Sequence, residues 1–353
     1  MTRIARIEAR AIGPEVPRYR YTEALDAPYT TTTIVWVEDS DGARGVGGFD
    51  GDSWGGFDLA PLETLRAVSR ELIGLDAEDR EGIQRLLTRG GTSPSLPGVL
   101  SAIDIALWDL AGQRAGRPIC ALLGGTLDRL PTYASLPTTE LGAYLELVAE
   151  VRAKGYPAVK LHAYGDAERD IELHRAVHAE HPDLAVMHDA EGVYAFDDAL
   201  AVGRALDEVG ARWYEAAFPD FDLASYRRLR AALTVPVLPA GDAVWERHQF
   251  EEALRDPPWD TLRTDVTAAG GITPMRAIFA LAAERDMDVE PVSYGHTLVQ
   301  AANLHVMLAY GRSAYFEQAY PLEAWEYGVV TPIRADAEGM THVPAGPGLG
   351  VEL

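Results

Sequence analysis

The pattern of apolar and polar positions changes near residue 125. Before that point, residues 3–12 alternate charged and apolar side chains, and residues 31–38 are β-branched and aromatic, which predicts two strands of a small antiparallel sheet. Apolar residues at helical spacing then predict three helices, at about 59–74, 78–88 and 96–116. We therefore predict an α+β module over residues 1–125.

After that point, short apolar segments alternate with amphipathic helical ones such as 140–154 and 168–179. Eight such repeats are typical of a (β/α)₈ barrel, here over residues 126–320. An open doubly wound sheet is the alternative, but a nucleotide-binding one needs a glycine-rich turn after its first strand, which this sequence lacks. The Pro- and Gly-rich tail, 321–353, is expected to pack back onto the first module. The eight predicted strands are 131–136, 157–163, 184–189, 211–216, 235–240, 261–266, 288–293 and 314–319.

Composition narrows the class of protein. The 353 residues suit a barrel of about 250 residues with a smaller module. A net charge of −23 argues against nucleic acids and anionic membranes as partners. The single cysteine, Cys120, excludes an internal disulfide, agrees with a reducing cytoplasm and is expected in the core. The chain has only two lysines, Lys154 and Lys160, so each requires an explanation.

Ionisable side chains stand at the carboxyl ends of seven of the eight predicted strands, the end at which barrels carry their chemistry. Three of them, one βα unit apart, are carboxylates that we expect to converge, because adjacent parallel strands lie about 4.8 Å apart. Carboxylates this close repel each other unless a cation compensates, and all-oxygen ligation favours Mg²⁺. The alternative is three solvated loop carboxylates. The predicted metal ligands are Asp189, Glu215 and Asp242.

Two histidines complete the predicted site. Lys160 and His162 are two residues apart on a strand, so they point to the same side, where the lysine would help to keep His162 neutral as a general base. Asp265 and His296 end the neighbouring sixth and seventh strands, and a carboxylate that accepts an imidazole N–H orients the ring. A purely structural His296 is the alternative to this dyad.

These residues fall in a recognisable order. The helix and turn of 101–124, the motifs Lys160-Leu-His162 and Asp189-Ala-Glu-Gly192, and the ending 347–352 resemble the enolase superfamily, in its mandelate racemase/muconate lactonising branch. The resemblance covers nearly the whole chain. It implies an N-terminal capping domain over a modified barrel, Mg²⁺ on the three carboxylates, a homo-oligomer, and removal of the proton next to a substrate carboxylate.

The same resemblance implies roles for single residues. Lys160 would touch the substrate carboxylate, Glu317 would hydrogen-bond to it, and His162 and His296 would serve as base and acid, in either order. Several positions depart from the family pattern: Lys-x-His replaces Lys-x-Lys, Asp242 stands for a usual Glu, Glu191 for a frequent Asn and Ala216 for a frequent second Glu. The lack of a lysine on the sixth strand argues against the lactonising and dipeptide-epimerase subgroup.

The expected reaction is dehydration of a small-molecule sugar acid in the cytoplasm. A racemase or epimerase, a cycloisomerase of a sugar-acid lactone and a non-catalytic binding protein are the alternatives. Specificity is expected from the capping domain, where aromatic and Arg side chains would bind hydroxyls or a distal carboxylate, although these loops would equally pack on their own domain. The candidates are Arg18, Tyr19, Arg20 and Tyr21 before the second strand, and Trp54, which ends the segment 49–54 expected to follow the next strand.

Overall fold

The N-terminal module is an antiparallel sheet covered by helices. The structure, a computed structural model, describes residues 2–13, 29–53, 59–89, 97–241, 243–244 and 246–353. The three strands pair in the order β1-β2-β3. Residues 49–53, expected to follow the third strand, belong to it, so that part of the prediction was wrong. The elements are β1 (Ile4–Ile12), β2 (Tyr29–Asp39), β3 (Arg44–Ser53), α1 (Leu59–Leu72), α2 (Arg80–Thr88) and α3 (Pro97–Ala115).

Helix α3 lies directly against strand β3. Two glycines of the strand permit this approach: a Cβ on Gly45 would come within 2.2 Å of the carbonyl oxygen of Ala106, and one on Gly47 within 2.3 Å of that of Ala102. Most of α3 is buried. The sheet therefore meets the helix backbone to backbone, which explains why the helix is apolar on nearly all sides.

The second module is a barrel of parallel strands surrounded by helices, as predicted. Strand β4 pairs with β5 on one side and with β9 on the other, and β5 to β8 pair in chain order. The strands are β4 (Arg129–Leu136), β5 (Ala158–His162), β6 (Ala185–Asp189), β7 (Trp213–Glu215), β8 (Val237–Leu238) and β9 (Phe316–Ala319). The helices are α4 (Ile119–Leu122), α5 (Leu141–Ala153), α6 (Ala167–Glu180), α7 (Phe196–Val209), α8 (Leu223–Arg230), α9 (Arg247–Ala253), α10 (Ile272–Glu284) and α11 (Thr297–Tyr310).

The two segments predicted as the sixth and seventh strands are irregular. They are joined by one parallel bridge, Leu262 to Val289, and by the hydrogen bond from the Val292 N–H to the Thr264 carbonyl. Glu290 also donates its N–H to the Leu262 carbonyl, so Pro291, which lies between Glu290 and Val292 and has no N–H, lacks a donor on the opposite side, where Val289 donates to Arg312. Backbone bonds from Asp260 to Val237 and from Val289 to Arg312 complete the circuit from β8 to β9.

An apolar layer fills the barrel below the predicted site. One side chain from each of five strands contributes to it: Tyr133, Ala158, Met187, Trp213 and Leu238. Because side chains alternate along a strand, the residue two positions further on points to the same interior. On β5, β6 and β7 those next residues are the predicted Lys160, Asp189 and Glu215.

The tail contacts both modules. A short strand, β10 (Met340–His342), pairs antiparallel with β4 of the barrel, after a 3₁₀ turn at Leu322–Trp325. Further on, the N–H of Leu349 donates to Asp109 of helix α3. Cys120 is buried, as predicted. Among the residues described above, no helix combines the length and the apolar composition needed to cross a bilayer.

Candidate active site

Lys160 lies at the centre of a buried cluster of carboxylates. Its ammonium nitrogen is 2.9 Å from Asp189 Oδ2, 3.0 Å from Glu215 Oε1 and 2.9 Å from Glu317 Oε1. All four side chains are 7% exposed or less, so these ion pairs are shielded from water. The structure thus brings together four of the predicted site residues from strands β5, β6, β7 and β9.

A second cation, Arg263, was not predicted. Its Nε lies 2.8 Å from Glu215 Oε1 and its Nη2 lies 3.2 Å from Glu317 Oε2, while Nη1 donates to the Glu290 carbonyl. The side chain is fully buried. The signal in the sequence was its position two residues before Asp265 on the sixth strand segment, the same spacing that links Lys160 to His162.

Opposing charges set the protonation of this cluster. Burial alone would lower the pKa of Lys160, but Glu215 and Glu317 raise it well above its usual value. Burial would likewise raise the pKa of Glu317, yet Lys160 and Arg263 lower it to about 2. Glu317 is therefore ionised and can only accept hydrogen bonds, so in this state it holds the two cations rather than donating to a substrate carboxylate.

His162 has the protonation pattern of a base. One ring nitrogen, Nδ1, lies 2.8 Å from the Leu136 carbonyl oxygen, which can only accept, so Nδ1 carries the proton and Nε2 carries the lone pair. Nε2 lies 3.5 Å from Asp189 Oδ2 and 3.7 Å from Glu191 Oε1. Burial lowers the pKa of His162 to about 4, with Asp189 opposing and Lys160 assisting. The ring is neutral at physiological pH.

His296 does not form the predicted dyad with Asp265. Its Nε2–H donates to the Tyr327 carbonyl at 2.9 Å, and its Nδ1 accepts from the Leu298 N–H, which caps helix α11. Asp265 instead accepts from the backbone N–H of Ala268. The predicted hydrogen bond between these two described residues was therefore wrong, because the end of the seventh segment turns directly into a helix that needs a cap.

The capping module contacts this turn through Asp50. Its Oδ2 accepts the backbone N–H of His296 at 2.7 Å, and its Oδ1 accepts the hydroxyl of Thr32 at 2.6 Å. Thr32 in turn lies 2.5 Å from the hydroxyl of Tyr327, whose carbonyl holds the His296 ring. Strands β2 and β3, the barrel and the tail thus meet at His296.

The donor set fits a hard divalent cation. Asp189 and Glu215 stand side by side in register on neighbouring strands, and both lie within 3.0 Å of the Lys160 ammonium nitrogen. Burial raises the pKa of Glu215 to about 8, Arg263 opposes this, and the negative charge of Asp189 adds to it. A divalent cation held between these two buried carboxyl groups would favour the ionised form of both. Oxygen or nitrogen atoms of His162, Asp189 and Glu191 also lie within 4.8 Å of one another.

Several predicted residues lie outside the part of the chain that the structure describes. They are the third predicted ligand, Asp242, and the specificity candidates Arg18, Tyr19, Arg20, Tyr21 and Trp54.

Comparison with known proteins matches both modules. Residues 22–124 match the mandelate racemase/muconate lactonizing enzyme N-terminal domain, and residues 143–353 match the enolase C-terminal domain-like family. A D-galactonate dehydratase family member of Streptomyces bingchenggensis is 31% identical, over 88% of this chain and 85% of its own. The D-galactarolactone cycloisomerase of Agrobacterium fabrum is 28% identical, over 93% of each. The crystal structure of D-glucarate dehydratase from Agrobacterium tumefaciens complexed with magnesium superimposes with a TM-score of 0.87 at 27% identity, covering 99% of this chain and 96% of that one.

Proposed function

The chain belongs to the mandelate racemase/muconate lactonizing branch of the enolase superfamily, and on that premise we propose that it dehydrates a sugar acid to a 2-keto-3-deoxy acid with Mg²⁺ as cofactor. The observation that carries the proposal is His162, a buried neutral imidazole whose lone-pair nitrogen faces Asp189 beside Lys160. The similarity to an acid-sugar dehydratase family member supports the substrate class.

Asp189, Glu215 and Asp242 are the proposed ligands of the metal. When bound, Mg²⁺ supplies Lewis-acid polarisation of the substrate carboxylate, which makes the neighbouring C–H more acidic. Lys160 supplies positive charge to the same carboxylate as the enediolate forms. Lys160 would turn from Glu215 and Glu317 to the substrate carboxylate. Arg263 would then balance the charge of the two glutamates, because the Arg263 guanidinium stays protonated and is held in place by the Glu290 carbonyl.

His162 removes the α-proton through Nε2 and becomes an imidazolium, which Asp189 and Glu191 stabilise at 3.5 and 3.7 Å. The bond to the β-hydroxyl then breaks, and the imidazolium returns its proton to the departing oxygen as water. The enol tautomerises in solution to the 2-keto acid, and His162 is neutral again. We assign the returning proton to His162 rather than to His296, since the Nε2–H of His296 is held by the Tyr327 carbonyl.

Cycloisomerisation is the second candidate, supported by the similarity to D-galactarolactone cycloisomerase. It shares the enolising half, but the bond that breaks is a ring C–O bond, so the product keeps the mass of the substrate. Racemisation needs a second base on the opposite face, and the hydrogen bonds of the His296 ring argue against it.

The test is turnover in D₂O with Mg²⁺ and a panel of aldonic acids, aldaric acids and their lactones. NMR reports α-proton exchange, and mass spectrometry separates loss of water from isomerisation. We expect keto-acid formation with at least one acid, abolished in His162→Asn. If no acid or lactone exchanges its α-proton, loses water or isomerises, the proposed chemistry is wrong.

A further inference from the structure

A buried carboxylate outside the catalytic cluster holds the turn that follows strand β8. Asp220, in the segment between β7 and α8, is 3% exposed. Its Oδ1 accepts the backbone N–H of Ala240 at 2.7 Å, and its Oδ2 accepts those of Gly241 and Ala243, each at 3.0 Å. One side chain thus accepts three backbone N–H groups of a segment that has no regular secondary structure.

These three donors lie on both sides of position 242. The turn is also confined from the opposite direction: Gly241 adopts φ +89°, and a Cβ there would come within 2.9 Å of the carbonyl carbon of Arg263. A glycine is needed both for that backbone conformation and for the close approach. Asp220 therefore holds the backbone at Ala240, Gly241 and Ala243 on one side, and the sixth strand segment confines Gly241 on the other.

We propose that Asp220 is a positioning residue for the Mg²⁺ site, since it holds the backbone on both sides of the proposed ligand Asp242. The proposal rests on the proposed metal chemistry. A carboxylate ligand binds well only if its backbone is held, because outer groups that orient a ligand typically change metal affinity ten- to a hundredfold. Asp220 binds the backbone N–H groups of Ala240, Gly241 and Ala243, so its effect would act through this segment.

The same segment contains a matched control. Asp222, two residues further on, also accepts a backbone N–H, that of Ser225 at 3.1 Å, where it caps helix α8. Asp222→Asn and Asp220→Asn make the same chemical change within three residues of each other. A role limited to holding the fold would show itself in both variants as a lower unfolding temperature and in neither as a changed metal affinity.

The experiment is calorimetric titration of the metal-free protein with MgCl₂, which needs no substrate. We expect Asp220→Asn to weaken Mg²⁺ binding at least tenfold and Asp222→Asn to stay within twofold of the wild type. If Asp220→Asn does not fold, Asp220→Glu, which keeps the charge but displaces it by one methylene, is titrated instead and should weaken binding severalfold.

Wild-type affinity in a folded Asp220 variant would overturn the positioning role, and so would a wild type that binds no Mg²⁺. Equal weakening in both Asn variants would also overturn it, because the effect would then be general. A wild type that binds Mg²⁺ with the expected pattern of variants but turns over no sugar acid would contradict the proposed reaction and leave the role of Asp220 standing.

Discussion

Replacing Lys160 with methionine tests whether its ammonium and a metal ion share the same carboxylates. The structure places Nζ within 3.0 Å of Asp189, Glu215 and Glu317, with the side chain 3% exposed. Removing one partner of a buried ion pair costs about 3–5 kcal/mol, because charges are left uncompensated. For a chain of this length, that loss corresponds to a fall of roughly 4–7 °C in unfolding temperature.

The assay is thermal unfolding of wild type and Lys160→Met in EDTA and in saturating Mg²⁺. A cation that binds only the folded state stabilises it by an amount that grows with affinity, about 2.7 kcal/mol at a hundred times the dissociation constant. The variant offers Mg²⁺ a site with one positive charge fewer. We therefore expect a large deficit in EDTA and a larger gain from Mg²⁺ in the variant than in the wild type.

The other lysine of the chain is the control. Lys154 pairs with Glu150 at 2.9 Å and is 52% exposed, and a surface pair of this kind contributes about 1 kcal/mol or less. Lys154→Met should leave both the unfolding temperature and its response to Mg²⁺ nearly unchanged. If Mg²⁺ stabilises wild type and Lys160→Met equally, the ammonium and the metal do not compete for these carboxylates and the reasoning fails.

Three further predictions follow from the site. His162→Asn should reduce the rate of α-proton exchange by a factor of about 10²–10⁴, the usual contribution of a general base. Its Mg²⁺ affinity, measured by calorimetry, should stay unchanged. Exchange near the wild-type rate would show that His162 is not the base. His296→Gln keeps a donor for the Tyr327 carbonyl but removes the ionisable ring. Its free energy of unfolding in urea should fall by about 1–2 kcal/mol, and its α-proton exchange should be retained. A variant that exchanges the α-proton but no longer releases water would instead identify His296 as the acid. Burial lowers the pKa of His296 and His305 to about 4. An unfolded chain protonates such rings near 6.5, so it binds more protons between these values, and stability should fall as the pH drops from 6.5 to 4 by about 1.4 kcal/mol per unit for each ring. The measurement is the free energy of unfolding in urea at pH 7 and at pH 5. Equal values at the two pH values would show that the two rings are not held neutral by burial.

These experiments measure metal binding separately from turnover. Lys160, Asp220 and Asp222 are tested by Mg²⁺ affinity or stability alone, whereas the tests of His162 and His296 add proton exchange to those measurements. The substrate acid, the homo-oligomer and the cytoplasmic location stay predictions. Each experiment on the metal site therefore remains decisive before the substrate is identified.

The sequence by itself determined the barrel and most of the catalytic cluster. Strand ends can be read from local patterns, so Lys160, Asp189 and Glu215 could be assigned to the mouth of the barrel from their places at the carboxyl ends of predicted strands. The order of βα units then brought Glu317 alongside without any knowledge of distant contacts.

Only the tertiary structure decided what those side chains touch. The place of Arg263 two residues before Asp265 assigns both side chains to the same side of the strand, but it does not show what Arg263 binds. Its role lies in contacts with Glu215 and Glu317, about fifty residues away along the chain on either side. His296 was paired with Asp265 on strand order, but a helix cap and the Tyr327 carbonyl hold its ring. Hydrogen bonds of this kind depend on where a turn places two atoms to within a few tenths of an ångström, and a pattern of residue types does not carry that information.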